Sequence, residues 1–436
     1  MMHCCQYYMA TGEGDPSFTI EIPKFTFGAG CLAEAGAHAA SLGMKRAALL
    51  TDARSAKLPH VETVKASLRA AGVDFVVYDA VQVEPTDRSL QAAARFATEG
   101  RFDGFVSVGG GSVMDTTKAA NLYSTWPAEF LAYVNAPIGG GQPVPGPLKP
   151  HIACPTTSGT GSETTGIAIF DLLAMKAKTG IISRHMIPTI ALVDPLVTKT
   201  LPRTIVAASG FDALSHALES LTAKSHAVRP KPASAQVRPM NQGANLWSDM
   251  GAREALRLVG RYLVRAVNDP ADDEARANMM YAGMIAGMTF SNAGCHLPHG
   301  MSYAVSGLVR DFRAPDYPSG EPMVPHGMSV MLNAPSVYRW TAAGCPDRHI
   351  EGAQWLGADV RGAGPDDAGE VLAKHLIGMM QATRFPGGLA HVGYDERDVD
   401  ALTEGAFPQQ RVINNAPRPV AKDDLRAMFR GAMRYW

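Results

Sequence analysis

The segment GFDALSHALES sets Asp212 and His216 four residues apart. On a helix that spacing stacks a carboxylate and an imidazole on one face, within reach of a single cation. Such a pair also forms ordinary helix-surface hydrogen bonds, so it needs further donors before it means metal. CHLPHGMSY supplies His296 and His299, and VPHGM supplies His326. Two His-Gly-Met triplets, starting at His299 and His326, lie in nearly uncharged surroundings. Neutral imidazole is the commonest metal ligand, and a buried histidine without a partner is costly. Three histidines and one aspartate from this set suit Fe(II) or Zn(II), with room left for a substrate oxygen. The plainer alternative is a group of core histidines, each satisfied by its own hydrogen bond.

A second chemistry is written in VSVGGGSVMDTTKAAN. Gly109, Gly110, Gly111 and Ser112 follow an apolar run directly and precede a helical one, with Asp115 in the same motif. Glycines there let the backbone approach a pyrophosphate, and the helix amino end offers free N–H groups and partial positive charge. A tight strand-to-helix turn needs only one glycine; three in a row with a serine favour an anion. Asp52 closes the run AALLTD. An acid at a strand's carboxyl end can accept both ribose hydroxyls of NAD, and it would repel the 2′-phosphate of NADP. A turn or helix cap is the bland role for the same residue. CPTTSGTGSETT sets Thr156, Thr157, Ser158, Thr160 and Ser162 around Gly159 and Gly161. So many small hydroxyls beside an apolar strand favour contact with a ribose or phosphate over a solvated loop.

In this order, GGGSVMD, PTTSGTGSE, GFDALSHALE, HGMSY and PHGMS resemble the iron-dependent alcohol dehydrogenase family, from about Phe25 onward. More narrowly, VEPTD, GGGSVMDTTKAANLY, PTTSGTGSETTGIAIFD, GFDALSHALES and NAGCHLPHGMSYAVSGLV are similar to its hydroxyacid-oxoacid transhydrogenase branch. The resemblance implies an α/β N-terminal Rossmann-like dinucleotide-binding domain and an all-α C-terminal domain, a dehydroquinate synthase-like fold. It implies NAD in the first domain and Fe(II) in the second, with Zn(II) as the alternative ion. The implied metal ligands are Asp212, His216, His299 and His326. Lys178 in MKAKTGI matches a lysine that contacts the cofactor in that family. Many members carry a further histidine four residues after the third ligand, where this chain has Tyr303. The branch also shows tyrosine there, which makes Tyr303 a candidate relay or substrate contact; His296 likewise suits the branch, and Tyr303 and His296 are the expected catalytic residues.

The implied reaction passes a hydride from a hydroxyacid such as 4-hydroxybutyrate to tightly bound NAD, then to a 2-oxoacid such as 2-oxoglutarate. The metal acts as Lewis acid. A conventional dehydrogenase releasing NADH is the first alternative, and a lyase like dehydroquinate synthase is the second. Substrates of this class carry carboxylates, so a cation should face them. Arg229 and Arg238 in the proline-rich loop, and Arg310 and Arg313 after the metal turn, are the candidates, since bidentate recognition favours arginine.

Elements must position these residues. Lys45–Asp52, Phe75–Val81 and Phe102–Val108 read as strands, and Val61–Ala71 and Arg88–Glu99 as helices. The alternation implies parallel β-α-β units in a sheet covered on both faces. After roughly Pro202, Val206–Leu221, Asp249–Val267, Asp272–Phe290 and Ala368–Ala382 read as helices, and strand signals nearly vanish. The expected division is a flexible tail over 1–17, an NAD-binding α/β domain over 18–205 and a helical metal-binding domain over 206–436.

Composition narrows the classes further. Forty basic and 41 acidic side chains leave a net charge of −1, which argues against nucleic acid or an anionic membrane as partner. Residues 277–309 hold no Asp, Glu, Lys or Arg, yet they contain His296, Pro298, His299 and several glycines. That content fits a buried helix and active-site turn better than a lipid-exposed span. Six cysteines without a CxxC pair indicate a reducing compartment. The first residues show no signal-peptide or transit-peptide pattern, so a cytoplasmic location is expected. The resemblance also implies a homo-oligomer, a dimer or larger.

Overall fold

The computed structural model describes residues 7–10, 12–175, 177–317 and 322–436. Two compact units emerge: Ile22–Leu201, and Pro202–Trp436 together with the described chain up to Glu21.

The first unit is built on eight strands: β1 (Lys24–Phe27), β2 (Arg46–Leu50), β3 (Asp74–Tyr78), β4 (Gly104–Gly109), β5 (His151–Pro155), β6 (Ile167–Leu172), β7 (Ala177–Ile182) and β8 (Ile190–Val193). Six form one sheet in the order β1-β8-β5-β4-β2-β3, every pair parallel. The four inner strands are apolar and buried almost throughout, as a sheet covered on both faces demands. Helices α1 (Ala35–Ser41), α2 (Pro59–Ala70), α3 (Asp87–Gly100) and α4 (Gly111–Thr125) supply the cover. A capping box between Thr86 and Ser89 starts α3. β6 and β7 make a separate antiparallel hairpin whose Phe170 and Ile181 pack on Tyr123 and Tyr133. From β2 the chain moves to β3 on one side and to β4, β5 and β8 on the other. The carboxyl ends of β2 and β4 therefore flank the point where such sheets bind ligands.

The second unit is helical: α5 (Arg203–Thr222), α6 (Leu246–Asn268), α7 (Asp273–Ala293), α8 (Leu297–Gly307), α9 (His326–Thr341), α10 (Pro346–Trp355), α11 (Ala368–Ala382), α12 (Val399–Ala406), α13 (Gln410–Ile413) and α14 (Lys422–Ala432). Every residue of α5 from Val206 to Thr222 is buried, and α6, α7 and α9 pack around it. A helix enclosed on all sides has no polar face to show, which is why its amphipathic signal is weak. The charge-free stretch has the same origin, since α7 and α8 are largely interior. No helix among the described residues is long and apolar enough to cross a membrane.

The unit boundary falls at Leu201/Pro202 rather than at 205/206, because Pro202 is the N-cap and α5 starts at Arg203. Of the loose tail expected over 1–17, residues 1–6 and 11 lie outside the described residues, and the described ones are tied down. Tyr7 and Tyr8 reach Ala223 and Asp249, Arg348 lies over the Tyr7 ring, and Asp15 pairs with Arg238 at 3.0 Å. Thr19 is clasped by Gln242 and Asn292 through hydrogen bonds of 2.6–2.8 Å. Cys4 and Cys5 lie outside the described residues.

Candidate metal centre and cofactor cradle

Asp212 and His216 sit one turn apart on α5, His299 in the first turn of α8, and His326 at the start of α9. The Asp212 Oδ1 atom lies 3.4 Å from His299 Nε2 and 3.8 Å from the Nε2 atoms of both His216 and His326. Four donors bound to one ion at about 2.1 Å in a tetrahedron are spaced at about 3.4 Å, so the set fits Fe(II) or Zn(II). Asp212 Oδ1 and His299 Nε2 are buried and have no hydrogen-bond partner, which a core histidine cluster would not tolerate. Burial opposes charge on Asp212, but His216, His326 and His299 outweigh it and hold its pKa well below the usual carboxylate range. Burial dominates at His216, pushing it down to about 4 and leaving the imidazole neutral, as a ligand must be.

The glycines of the two His-Gly-Met triplets have a steric purpose. A Cβ at Gly327 would sit 2.1 Å from the Ala208 carbonyl oxygen and 2.8 Å from Asp212 Cβ. Only glycine lets α9 approach α5 closely enough to bring His326 to Asp212. At Gly300 the neighbour is Ile413 on α13, 3.1 Å away.

Two residues near the cluster escaped the sequence reading. Glu219, on α5 one turn beyond His216, accepts from His299 Nδ1–H and from the His296 backbone N–H, both at 2.6 Å. It fixes the His299 tautomer so that Nε2 faces Asp212. Spacing held the signal, since Asp212, His216 and Glu219 follow each other at i, i+4 and i+7. The second is Cys295, whose sulfur lies within 4.8 Å of ring nitrogens of His216 and His299. Phe290 stacks on the His216 ring at 3.9 Å and closes that side.

His296 differs from the catalytic expectation. It is fully buried, shares a 2.8 Å hydrogen bond with Thr222 Oγ1, and burial pushes its pKa down to about 4. It caps α8 and donates to Glu219, so it positions the cluster and has no surface for a substrate. Tyr303 lies one turn after His299 on α8 and is half-buried.

In the first unit, the carboxyl ends of β2, β4 and β5 bring Asp52, Gly109–Ser112 and Thr156–Ser162 together. Thr51 Oγ1 donates to the Val108 carbonyl at 2.8 Å, and the Thr156 N–H to Gly109 at 3.0 Å. A Cβ at Gly110 would meet Thr157 at 3.4 Å, and one at Gly111 would meet Thr160 at 2.9 Å. Gly110 caps α4 without any side-chain hydrogen bond, and Thr157 Oγ1 beside it is buried with no partner. A bare helix amino end, a tight glycine turn and an unsatisfied hydroxyl fit a pyrophosphate.

Other members of the expected cofactor set do internal work. Asp52 accepts from the N–H groups of Arg54 and Ser55 at 3.0 and 2.9 Å and from Ser55 Oγ at 2.6 Å, the turn role named above. Ser112 Oγ accepts from the Glu84 N–H at 3.1 Å. Asp115 bonds Ser162 and takes the Ile169 N–H at 2.9 Å, tying α4 to the hydroxyl-rich turn. Lys178 is buried between Glu84 at 2.7 Å and Asp171 at 3.0 Å. Lys118 was missed: fully buried on α4, it donates to Ser162 Oγ at 2.7 Å and the Ile167 carbonyl at 2.8 Å. Its three-residue spacing from Asp115 was the available signal.

The four arginines also separate. Arg238 is held by Asp15 and Thr19, and Arg310 by both oxygens of Asp398, so neither is a spare cation. Arg313 is exposed beside a bridge to Met323. Arg229 is half-buried, and its Nη2 donates to Asn415 Oδ1 at 2.5 Å while its Nε has no partner.

Residues 23–195 match the family model described as iron-containing alcohol dehydrogenase, and residues 239–433 match the C-terminal model of the same family. The chain belongs to the iron-containing alcohol dehydrogenase family. Within that family it is 51% identical, over 97% of its length and 91% of the relative, to the hydroxyacid-oxoacid transhydrogenase, mitochondrial, of Bos taurus. The Homo sapiens protein of that name is 50% identical over the same shares. Among solved structures, a 1,3-propanediol oxidoreductase superposes with TM-score 0.83 at 28% identity, covering 96% of this chain and 100% of that one. This iron-containing alcohol dehydrogenase is thus an oxidoreductase, and its family supports NAD and iron as the general cofactor pair. The cytoplasmic location expected above is corrected, because the relatives at about half identity are named mitochondrial proteins. Cysteine usage reports redox conditions, not which membrane encloses them.

Proposed function

We propose that this chain transfers a hydride from a hydroxyacid of the 4-hydroxybutyrate type to a 2-oxoacid of the 2-oxoglutarate type through NAD that stays bound. The observation that carries the reading is one buried Asp212 oxygen with three imidazole nitrogens within 3.8 Å, in a chain half identical to hydroxyacid-oxoacid transhydrogenases.

Asp212, His216, His299 and His326 are the residues to hold the ion, iron first and zinc as the alternative. An ion there supplies a Lewis acid for charge that develops on a substrate oxygen, and NAD supplies the hydride carrier. The protein does the rest. Glu219 keeps the His299 Nε2 lone pair turned toward Asp212. Gly110, Gly111 and Thr157 offer the pyrophosphate a surface without clash, and Asp115 with Lys118 holds the second turn in place behind them. Tyr303, one turn from His299 on α8, is the side chain assigned as proton relay or substrate contact. Arg229, whose Nε is unsatisfied, is the arginine retained for a substrate carboxylate.

The test is succinate semialdehyde formation from 4-hydroxybutyrate by iron-loaded protein given 2-oxoglutarate and no added NAD. Many turnovers per subunit are expected. Turnover that starts only on adding NAD, with free NADH accumulating, would replace this reading with a conventional dehydrogenase. His299→Ala should abolish both activity and metal retention while leaving the far-ultraviolet dichroism intact. A dimer or larger assembly belongs to the same proposal, and sedimentation velocity reads it directly.

A further inference from the structure

Cys295 is the one described cysteine with partial solvent access; Cys31, Cys154 and Cys345 are buried. It stands between the end of α7 and His296, the N-cap of α8, and its position is fixed from three directions. The Gly294 N–H closes on the Phe290 carbonyl at 2.7 Å, with Gly294 at φ +84°, where a side chain would be strained. Asn415 Nδ2 donates to the carbonyls of Ala293 and Cys295 at 3.1 and 3.0 Å. The next N–H, that of His296, is held by Glu219. A thiol anchored this way is pre-organised.

The sulfur has metal-binding company. Cys295, His216 and His299 offer ligand atoms that all lie within 4.8 Å of one another, and so do Asp212, His299 and His326. His299 is common to both groups, and His216 also belongs to the four-ligand set around Asp212. The Nδ1 atom of His299 is engaged by Glu219, so only its buried, unpartnered Nε2 is left for an ion in either set. Oxygen and nitrogen donors characterise one set, and a sulfur donor characterises the other. Thiolate ligands select for zinc-class ions over harder ones.

We infer that Cys295 is a metal ligand, forming with His216 and His299 a thiophilic ligand set in which its sulfur competes with Asp212 and His326 for the ion. The inference rests on the metal reading of this site and adds that the chain discriminates between ions by sulfur.

The experiment uses Co(II) added to metal-free, full-length protein. Visible d–d bands report binding at the site, and a near-ultraviolet sulfur-to-cobalt charge-transfer band reports the thiolate. Wild type is expected to show both, and Cys295→Ser the d–d bands alone. Chelator competition should show that Cys295→Ser weakens Zn(II) binding by more than the roughly 10–100-fold lost with an outer-shell partner, with Fe(II) binding unchanged. The d–d bands without charge transfer in wild type, or equal Zn(II) affinity in the two proteins, overturn the role of Cys295 and leave the metal site standing. No d–d bands in wild type overturn both.

Discussion

Replacing Glu219 by Gln tests how the metal site is held together. Glu219 is fully buried, and each of its oxygens accepts one short hydrogen bond, from His299 Nδ1–H and from the His296 N–H. Glutamine keeps the shape but offers one acceptor and one NH₂ donor, so one of those two N–H groups must face another donor. An unsatisfied buried donor costs about 1–3 kcal/mol. The variant escapes by turning His299, which moves Nε2 away from Asp212. Loss of such an outer-shell carboxylate lowers metal affinity about 10–100-fold, equivalent to about 1.4–2.8 kcal/mol. The assay is Fe(II) or Co(II) binding to metal-free wild type and Glu219→Gln in competition with a chromophoric chelator, with far-ultraviolet dichroism as the fold control. A native spectrum with an affinity within twofold of wild type would refute the argument that Glu219 orients His299.

Gly327→Ala should overpack the α5–α9 contact and lower stability by about 1–3 kcal/mol, read as a shifted urea midpoint; an unchanged midpoint would show that the close approach is dispensable. Thr157→Val should weaken NAD by about fivefold, the worth of roughly one hydrogen bond of 1 kcal/mol, in calorimetric titration, and equal affinity would remove Thr157 from the cradle. Burial, aided by Lys118, pushes the His151 imidazole down from 6.5 to about 3. The folded state therefore stays neutral where the unfolded chain binds a proton. The stability His151 contributes is complete above pH 6.5 and is lost as pH falls toward 3, reaching a loss of about 2 kcal/mol at pH 5. His151→Asn should show a correspondingly smaller drop in urea-derived stability between pH 7.5 and 5, and an identical drop would exclude His151 as the source.

Local spacing made part of this molecule readable. Asp212 and His216 share a helix face, the glycine turn follows a strand, and Ala368–Ala382 was legible residue for residue because its period and boundaries are local. What stayed hidden depends on partners distant in the chain. Arg238 and Arg310 read as spare cations until Asp15 and Asp398 arrive from other elements. Lys118 carries no local sign of its burial beyond the Asp115 spacing, and only the packing of β6 and the hydroxyl-rich turn shows why it is buried. Glu219 lies inside a motif read for its other residues, and its role appears when α8 delivers two N–H groups to it. The N-terminal residues lack periodicity, so nothing local announced that they would be clasped by Asp249, Gln242 and Asn292.

The enclosed helix α5 has a consequence for the order of events at the site. Asp212, His216 and Glu219 ride on a segment buried from Val206 to Thr222. Its amides should exchange with deuterium only when the whole unit opens. His326 instead occupies the first turn of α9, with its side chain 30% exposed. Helix ends fray at far lower free energy than enclosed interiors. The α5 half of the ligand set is thus a slow scaffold and His326 its fast edge, so release of an ion should start at His326, and loading, its reverse, should end there.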